Sequence, residues 1–174
     1  GFKCPPVGIK FHGYEMFQRA PDIKIKLQHI FLLRPVVKRL SLKADVVFSY
    51  GGKITDIIKG LGVKKSRIVE LPSGVEQNSL AKEVLPVNTP LRFLFLGRYE
   101  RRKGIEELNQ TLKLLLADHS LPSFEMHFVG PIPKDKQINA KEIIYHGEVR
   151  DKALLQTKIR HCDVLLCPSW SEGF

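Results

Sequence analysis

The sequence predicts an α/β protein built on parallel sheets, and three observations carry that prediction. Short apolar runs alternate with longer segments of helical period along almost the whole chain. The breaks between them hold Gly, Pro, Asn and Ser, the residues that punctuate regular structure. The pattern lapses once, around residues 81–90, where Pro86, Asn88, Thr89 and Pro90 fall close together, and then restarts. Strands that alternate with helices pair in parallel through right-handed crossovers, so two parallel-sheet domains joined by a linker are expected.

In chain order, Val7-Gly8-Ile9-Lys10-Phe11 reads as a strand. Residues 25–43 read as a helix, with Pro35 expected to break it because its ring clashes with the preceding turn. Asp45 to Ser49 is a second strand, Gly52 to Leu61 a helix stopped by Gly62, and Arg67 to Leu71 a third strand ending in the turn Pro72-Ser73-Gly74. After the linker, Leu91 to Leu96 reads as a strand. Ile105 to His119 reads as a helix with Leu108, Leu112, Leu115 and Leu116 on one face. Phe124 to Val129 and Glu142 to Tyr145 are strands. Asp151 to Cys162 is a helix whose first residue is placed to cap it. Asp163 to Cys167 is the last strand. The resulting boundaries are 1–84 for the first domain, 85–90 for the linker and 91–174 for the second domain.

Composition narrows the function. The 174 residues, 43% of them hydrophobic, suffice for one domain or two small ones. A net charge of +10 calls for an anionic partner: a phosphate-bearing substrate, an anionic membrane face or a nucleic acid. No zinc-finger, RNP-type aromatic or helix-turn-helix pattern accompanies the charge, which argues against nucleic acid. Ten basic residues face three acidic ones between Asp22 and Lys65, so most of the excess precedes the linker. Within it, segment 23–43 interleaves Ile, Leu, Phe and Val with Lys and Arg, a composition suited to peripheral contact with an anionic membrane. The bland and favoured alternative packs its apolar side on the sheet and leaves its charged side in water. Three cysteines (Cys4, Cys162, Cys167) form no disulfide framework and no metal spacing, which points to a reducing, cytoplasmic setting. The chain starts on Gly1 rather than Met, as a piece without its own N-terminus would.

Two loops carry the chemistry. Gly97-Arg98-Tyr99-Glu100-Arg101-Arg102-Lys103-Gly104 leaves one strand and enters a helix, where backbone N–H groups and the helix end favour an anion. Arg98 can grip two phosphate oxygens with its planar fork, and Lys103 adds a compact charge. Pro168-Ser169-Trp170-Ser171-Glu172-Gly173-Phe174 leaves another strand and offers a carboxylate to sugar hydroxyls. Ligands of open α/β sheets sit beyond the carboxyl ends of the strands, where both loops lie. His12, at the end of the first strand and followed by Gly13, has the same kind of placement. His29, His119, His127, His146 and His161 show no partner pattern and read as structural. No Asp-x-Asp pair, zinc spacing, P-loop or G-x-S-x-G is present, so no metal and no cofactor are expected.

Taken together, these pieces resemble the group 1, family 4 retaining glycosyltransferases of the GT-B fold. Phe11-His12-Gly13, Ala44-Asp45-Val46-Val47-Phe48-Ser49, Leu71-Pro72-Ser73-Gly74-Val75-Glu76, the Gly97-Arg98 and Arg102-Lys103-Gly104 pieces, Tyr145-His146-Gly147-Glu148-Val149 and Pro168-Ser169 with Glu172-Gly173-Phe174 follow the family's order. The resemblance implies parts of two Rossmann-like domains: the end of an N-terminal acceptor-side domain and the start of a C-terminal donor domain. It implies metal-independent transfer of a hexose-type sugar, with retention, from a UDP- or GDP-linked donor to a sugar or lipid-linked acceptor in polysaccharide or glycolipid biosynthesis of the cell envelope. On the matched positions, Gly97, Arg98 and Lys103 hold the donor diphosphate; Glu172, Gly173 and Phe174 meet the donor sugar; Gly147 and Val149 lie near the nucleobase; His12 and Glu172 are the catalytic pair. Ser73 stands where the family usually has Asn. The second glutamate of the family's E-x₇-E pair and its N-terminal glycine-rich loop have no counterpart, so the chain alone is expected to be nearly inactive. Rival readings are an epimerase or phosphorylase of the same fold, a non-catalytic relative, and a basic nucleic-acid-binding domain.

Overall fold

A computed structural model describes residues 5–171 except 12, 76, 78, 79, 81, 82 and 84. Two compact units are present: Gly1–Val75 with Trp170–Phe174, and Glu76–Ser169. Both sheets are wholly parallel, as the alternating pattern predicts.

In the first unit, strands β1 (Gly8–Lys10), β2 (Val46–Ser49) and β3 (Ile68–Glu70) pair in the order β1-β2-β3. Helices α1 (Ile23–Gln28) and α2 (Arg34–Lys43) lead from β1 to β2, and α3 (Lys53–Gly60) leads from β2 to β3. Val47, Ile54, Ile58, Leu61 and Val63 form the core with Tyr14, Val37 and Ala44. Burial pushes the Tyr14 hydroxyl up to about 12, so it stays neutral and is core rather than acid–base machinery.

Pro35 does not break the helix. A π-turn at His29–Leu33 joins α1 to α2, and the Arg34 N–H reaches back five residues to the His29 carbonyl. The hydrogen-bond ladder is thus re-registered just ahead of the proline, which stands in the first turn of α2, where its missing N–H costs least. Arg34 secures the joint: its Nε donates to the Met16 carbonyl at 2.7 Å and its guanidinium lies 5.3 Å from the Phe17 ring. The favoured expectation that the apolar side of this segment packs inward describes only part of it: Val37 joins the core and Ile25, Ile30 and Leu33 are half-buried, but other apolar residues point outward. Only Val37 and Ser41 of α2 are buried, while Ile23, Leu27, Phe31, Leu32, Val36 and Leu40 face solvent.

In the second unit, β4 (Leu91–Leu96), β5 (Phe124–Val129), β6 (Ile143–Tyr145) and β7 (Val164–Leu165) pair in the order β6-β5-β4-β7. Helix α4 (Ile105–Ala117) links β4 to β5, and α5 (Lys152–His161) links β6 to β7. Strand alternation sends Phe95, Met126 and Phe128 to one face, where they pack with Ile105, Leu108 and Leu112. The Asp151 carboxylate caps α5 by accepting from the Leu154 N–H at 2.7 Å, as its position predicts. Asp151→Ala is expected to cost about 1 kcal/mol, read as a lower urea midpoint with an unchanged m-value.

One device recurs in both units. Asp45, just before β2, donates its N–H to the Val7 carbonyl at 2.9 Å and takes the Val7 N–H on its carboxylate at 2.8 Å. Asp163, just before β7, donates to the Arg92 carbonyl at 2.8 Å and takes the Asn88 and Arg92 N–H groups at 2.9 and 2.8 Å. Each aspartate ties the entry of its strand to the entry of the neighbouring strand. Those N–H groups, Asn88 first, hold the Asp163 carboxyl below the usual carboxylate range. Asn88 falls inside the expected 85–90 linker.

Candidate functional site

The strand order sets the position of the site in the second unit. Chain connection runs outward from β4 through β5 to β6, then reverses through α5 to β7 on the other side of β4. An open sheet leaves a crevice at such a reversal, beyond the carboxyl ends of the two strands that flank it. Those strands are β4 and β7, and the loops that leave them are the basic Gly97–Gly104 loop and the segment starting at Pro168.

Glycine backbones hold the rim together. Gly104 has φ +68, and a Cβ built on it would lie 2.0 Å from the Pro168 carbonyl oxygen, so only glycine lets the two loops meet. Gly97 donates to the Val129 carbonyl at 3.0 Å. Gly130 has φ +140 and a Cβ there would lie 2.0 Å from the Gly97 oxygen, while its N–H donates to Gly147 at 2.8 Å. Gly97, Gly130 and Gly147 therefore run side by side along the ends of β4, β5 and β6. Gly130 is a residue of the candidate site that sequence reasoning missed. Its signal is Val129-Gly130-Pro131, a glycine and a proline directly after an apolar strand.

Of the residues expected to bind the donor, Gly97, Arg98, Lys103, Gly147 and Val149 lie on these loops. His12, Glu172, Gly173 and Phe174 lie outside the described residues. Arg98 projects into solvent and its Nη2 pairs with Glu100 at 2.9 Å; Arg102 reaches the other Glu100 oxygen at 3.6 Å. Arg101 pairs with Glu106 at 3.3 Å and with Glu107, the two acids of the first turn of α4. The loop is thus less bare than its sequence suggests: an anion approaching Arg98 competes with Glu100 for it. Both Arg98 and Arg102 can turn outward at little cost, because exposed ion pairs are weak.

In the first unit, the carboxyl ends of β2 and β3 carry a polar network. Ser49 and Thr55 share a hydrogen bond of 2.8 Å, Thr55 donates to Glu70 at 2.5 Å, and the Gly51 N–H donates to Ser49 at 3.0 Å. Beside it opens a cleft of about 750 Å³ lined by Gln18, Arg19, Gly51, Lys53, Ile54 and Asp56, among others.

Three histidines read as unpartnered prove to be partnered. His127 is buried in mid-strand; its Nδ1 lies 2.9 Å from His146 Nε2 and its Nε2 lies 3.2 Å from Glu125. Arg92 donates to the same Glu125 oxygen at 2.9 Å and approaches His161 Nδ1 at 3.3 Å. Glu125, His127 and His161 bring their ligand atoms within 4.8 Å of one another. The cation that answers Glu125 is the Arg92 guanidinium, and the group extends from the starts of β4 and β5 to His146, which directly precedes Gly147 of the glycine rim. Strand pairing, with the end of α5 laid against the sheet, brings these residues together, so no spacing rule could have found them.

Each unit is a parallel, Rossmann-like α/β sheet, and the fold is that of the GT-B type. Residues 90–174 match the family described as glycosyl transferases group 1. Among solved structures, it is similar to the apo form of the lipopolysaccharide outer core galactosyltransferase WaaB, with 20% identity and TM-score 0.56 over 75% of this chain and 38% of that one. It is similar to apo OtsA, with 14% identity and TM-score 0.64 over 96% of this chain and 47% of that one. It also resembles a trehalose-6-phosphate synthase studied with bisubstrate glycomimetics for glycosyl transfer with retention, at 13% identity and TM-score 0.64 over 96% and 48%. The chain spans less than half the length of each. No curated protein sequence matches it.

Proposed function

We propose that this chain supplies the donor-binding half-site of a glycosyltransferase that moves a hexose-type sugar from a nucleoside-diphosphate sugar to a sugar or lipid-linked acceptor. One observation carries the reading: the two sequence motifs leave the two strands that flank the reversal of strand order, and Gly104 lets them touch. Backbone N–H groups of the 97–104 loop, Arg98 and Lys103 would bind the diphosphate and stabilise its charge as the glycosidic bond breaks, a role that needs no metal. Gly147 and Val149 would border the nucleobase. Glu172, Gly173 and Phe174 would meet the sugar, with His12 and Glu172 at the reacting carbon. Retention of configuration, a UDP or GDP leaving group and work in cell-envelope polysaccharide or glycolipid synthesis, on the cytoplasmic side, complete the proposal. A lipid-linked acceptor would bring the chain to a membrane face.

Calorimetric titration with UDP and with GDP tests it. Saturable binding of one of them is expected, weakened at least about tenfold in Arg98→Ala with Lys103→Ala, because each cation contributes a charge-assisted contact. Equal affinity in parent and double variant would overturn the assignment of these residues. Absence of binding to either nucleotide would remove the donor-site reading.

A further inference from the structure

We propose that His146 is a positioning residue for the donor nucleobase: bonded through His127 to Glu125, its imidazole fixes the entrance of the 147–149 turn. The inference rests on the nucleotide-sugar reading and adds to it a part for three side chains that the diphosphate and sugar contacts leave unused. The bonds run without a gap. Arg92 Nε donates to Glu125 Oε2 at 2.9 Å, and Arg92 Nη1 donates to the Asn88 side-chain oxygen at 3.0 Å, so the carboxylate is held from the β4 side. His127 Nε2 lies 3.2 Å from the same carboxylate oxygen. His127 Nδ1 lies 2.9 Å from His146 Nε2, and the two rings are nearly parallel, at 12°. His127 is 3% exposed and pairs with Leu94 and Ile144 on the adjacent strands, a place where an apolar side chain would pack without partners. A buried imidazole is tolerated there only with its ring nitrogens satisfied, and this one has Glu125 on one side and His146 on the other.

Proton placement follows from the carboxylate. An ionised carboxylate only accepts, so His127 carries its proton on Nε2 and donates it to Glu125. A neutral imidazole has one donor and one acceptor. His127 Nδ1 therefore accepts, and His146 must carry its proton on Nε2. Glu125 thus sets the tautomer of a ring two bonds away. Burial, with the charge of Lys158, holds His146 below its ordinary value, so that ring stays neutral. His146 is the last residue before the chain turns. Its backbone N–H donates to the Phe128 carbonyl at 2.9 Å, and the Gly147 carbonyl accepts from Gly130 at 2.8 Å. Those two bonds would form with almost any residue at 146. The third tie, to His127, needs a side-chain donor. Beyond it Glu148 and Arg150 pair with each other at 3.1 and 3.2 Å, and Asp151 caps α5. The direction in which the turn presents Val149 is therefore set at its entrance, by His146.

The test is calorimetry of the whole chain with inorganic pyrophosphate and with UDP and GDP, because the ratio of the two affinities isolates the nucleoside side of the site. His146→Phe is expected to weaken the nucleotide that the parent binds about fivefold, the worth of one hydrogen bond, and to leave pyrophosphate binding unchanged. His146→Gln keeps a side-chain nitrogen that can donate to His127, and is expected to hold nucleotide affinity within about twofold of the parent. A residue that only stabilises the fold would weaken both ligands or neither. Long-range proton–nitrogen correlation spectra of the parent at about pH 8 are expected to show His127 and His146 both protonated on Nε2. A ring protonated on Nδ1 instead would overturn the proposal. So would an equal loss of pyrophosphate and nucleotide in His146→Phe, or a His146→Gln variant as weak as His146→Phe. A His146→Phe variant with the parent's ratio would overturn it and leave the donor-site reading standing, whereas a parent that binds neither nucleotide removes both.

Discussion

Gly104→Ala is expected to destabilise the chain far more than Gly147→Ala, although the two glycines share nearly the same backbone. Their φ angles are +68 and +70. The conformational cost of placing alanine there is the same for both, about 1–2 kcal/mol. Their surroundings differ. Nothing lies within 4 Å of a Cβ at Gly147, whereas at Gly104 it would meet the Pro168 carbonyl oxygen at 2.0 Å and its carbon at 2.8 Å. Backbone cannot rotate aside as a side chain does, so the loop after β7 must move or α4 must shift its first turn. The second cost adds to the first, and a total of about 3 kcal/mol or more is expected for Gly104→Ala. Urea unfolding of the two variants beside the parent measures the difference. If the two lose equal stability, the close approach is not what holds the loops, and the geometry claimed for the crevice fails. If the difference appears, nucleotide titration of Gly104→Ala then reports how much binding depends on the loops being together.

The alternation of strands and helices, and with it the parallel pairing, was legible because burial of a strand on both faces leaves a nearly continuous apolar run such as Leu91 to Leu96, interrupted only by Arg92. The position of the candidate site was legible for the same reason: Gly97 and Pro168 each follow a run that could only be a strand. The strand order was not. It depends on which edge α5 returns to, and that is decided by Asp163 gripping Asn88 and Arg92, residues more than seventy positions earlier. Gly130 went unnoticed because a lone glycine in sequence does not show that another strand's carbonyl lies against it. Pro35 was misjudged because the rule that proline breaks a helix assumes an uninterrupted α ladder, and here the π-turn has already shifted that ladder. The outward apolar stripe was likewise hidden, since periodicity gives the width of an apolar face but not the direction in which it points.

Acid is expected to loosen the second unit through its histidine cluster before it reaches the carboxylates. Burial, then the charge of Lys158 and the neighbouring imidazoles, hold His146 below its ordinary value. Burial, Arg92 and His127 do the same to His161, against a small opposing pull from Glu125. The folded chain therefore binds fewer protons at these rings than the unfolded chain. Their contribution to stability is complete above the unfolded-state value of about 6.5 and drains away as the pH falls through it toward the lowered folded values. The thermal midpoint is expected to drop by several degrees between about pH 8 and about pH 5. His146→Gln with His161→Gln should flatten that slope, because the rings that take up protons on unfolding are gone. A second fall is expected below about pH 4, where Asp163 and Glu125 act in the same direction for a different reason: backbone N–H groups hold one carboxylate ionised, and His127 and Arg92 hold the other, so protonation favours the unfolded chain. That fall should persist in the histidine double variant. A midpoint that stays level from about pH 8 to about pH 5, or a slope the double variant leaves unchanged, would show that the cluster is too open to water to sense pH. The network of Arg92, Glu125, His127 and His146 would then be a packing device, positioning the starts of β4 and β5 through hydrogen bonds alone.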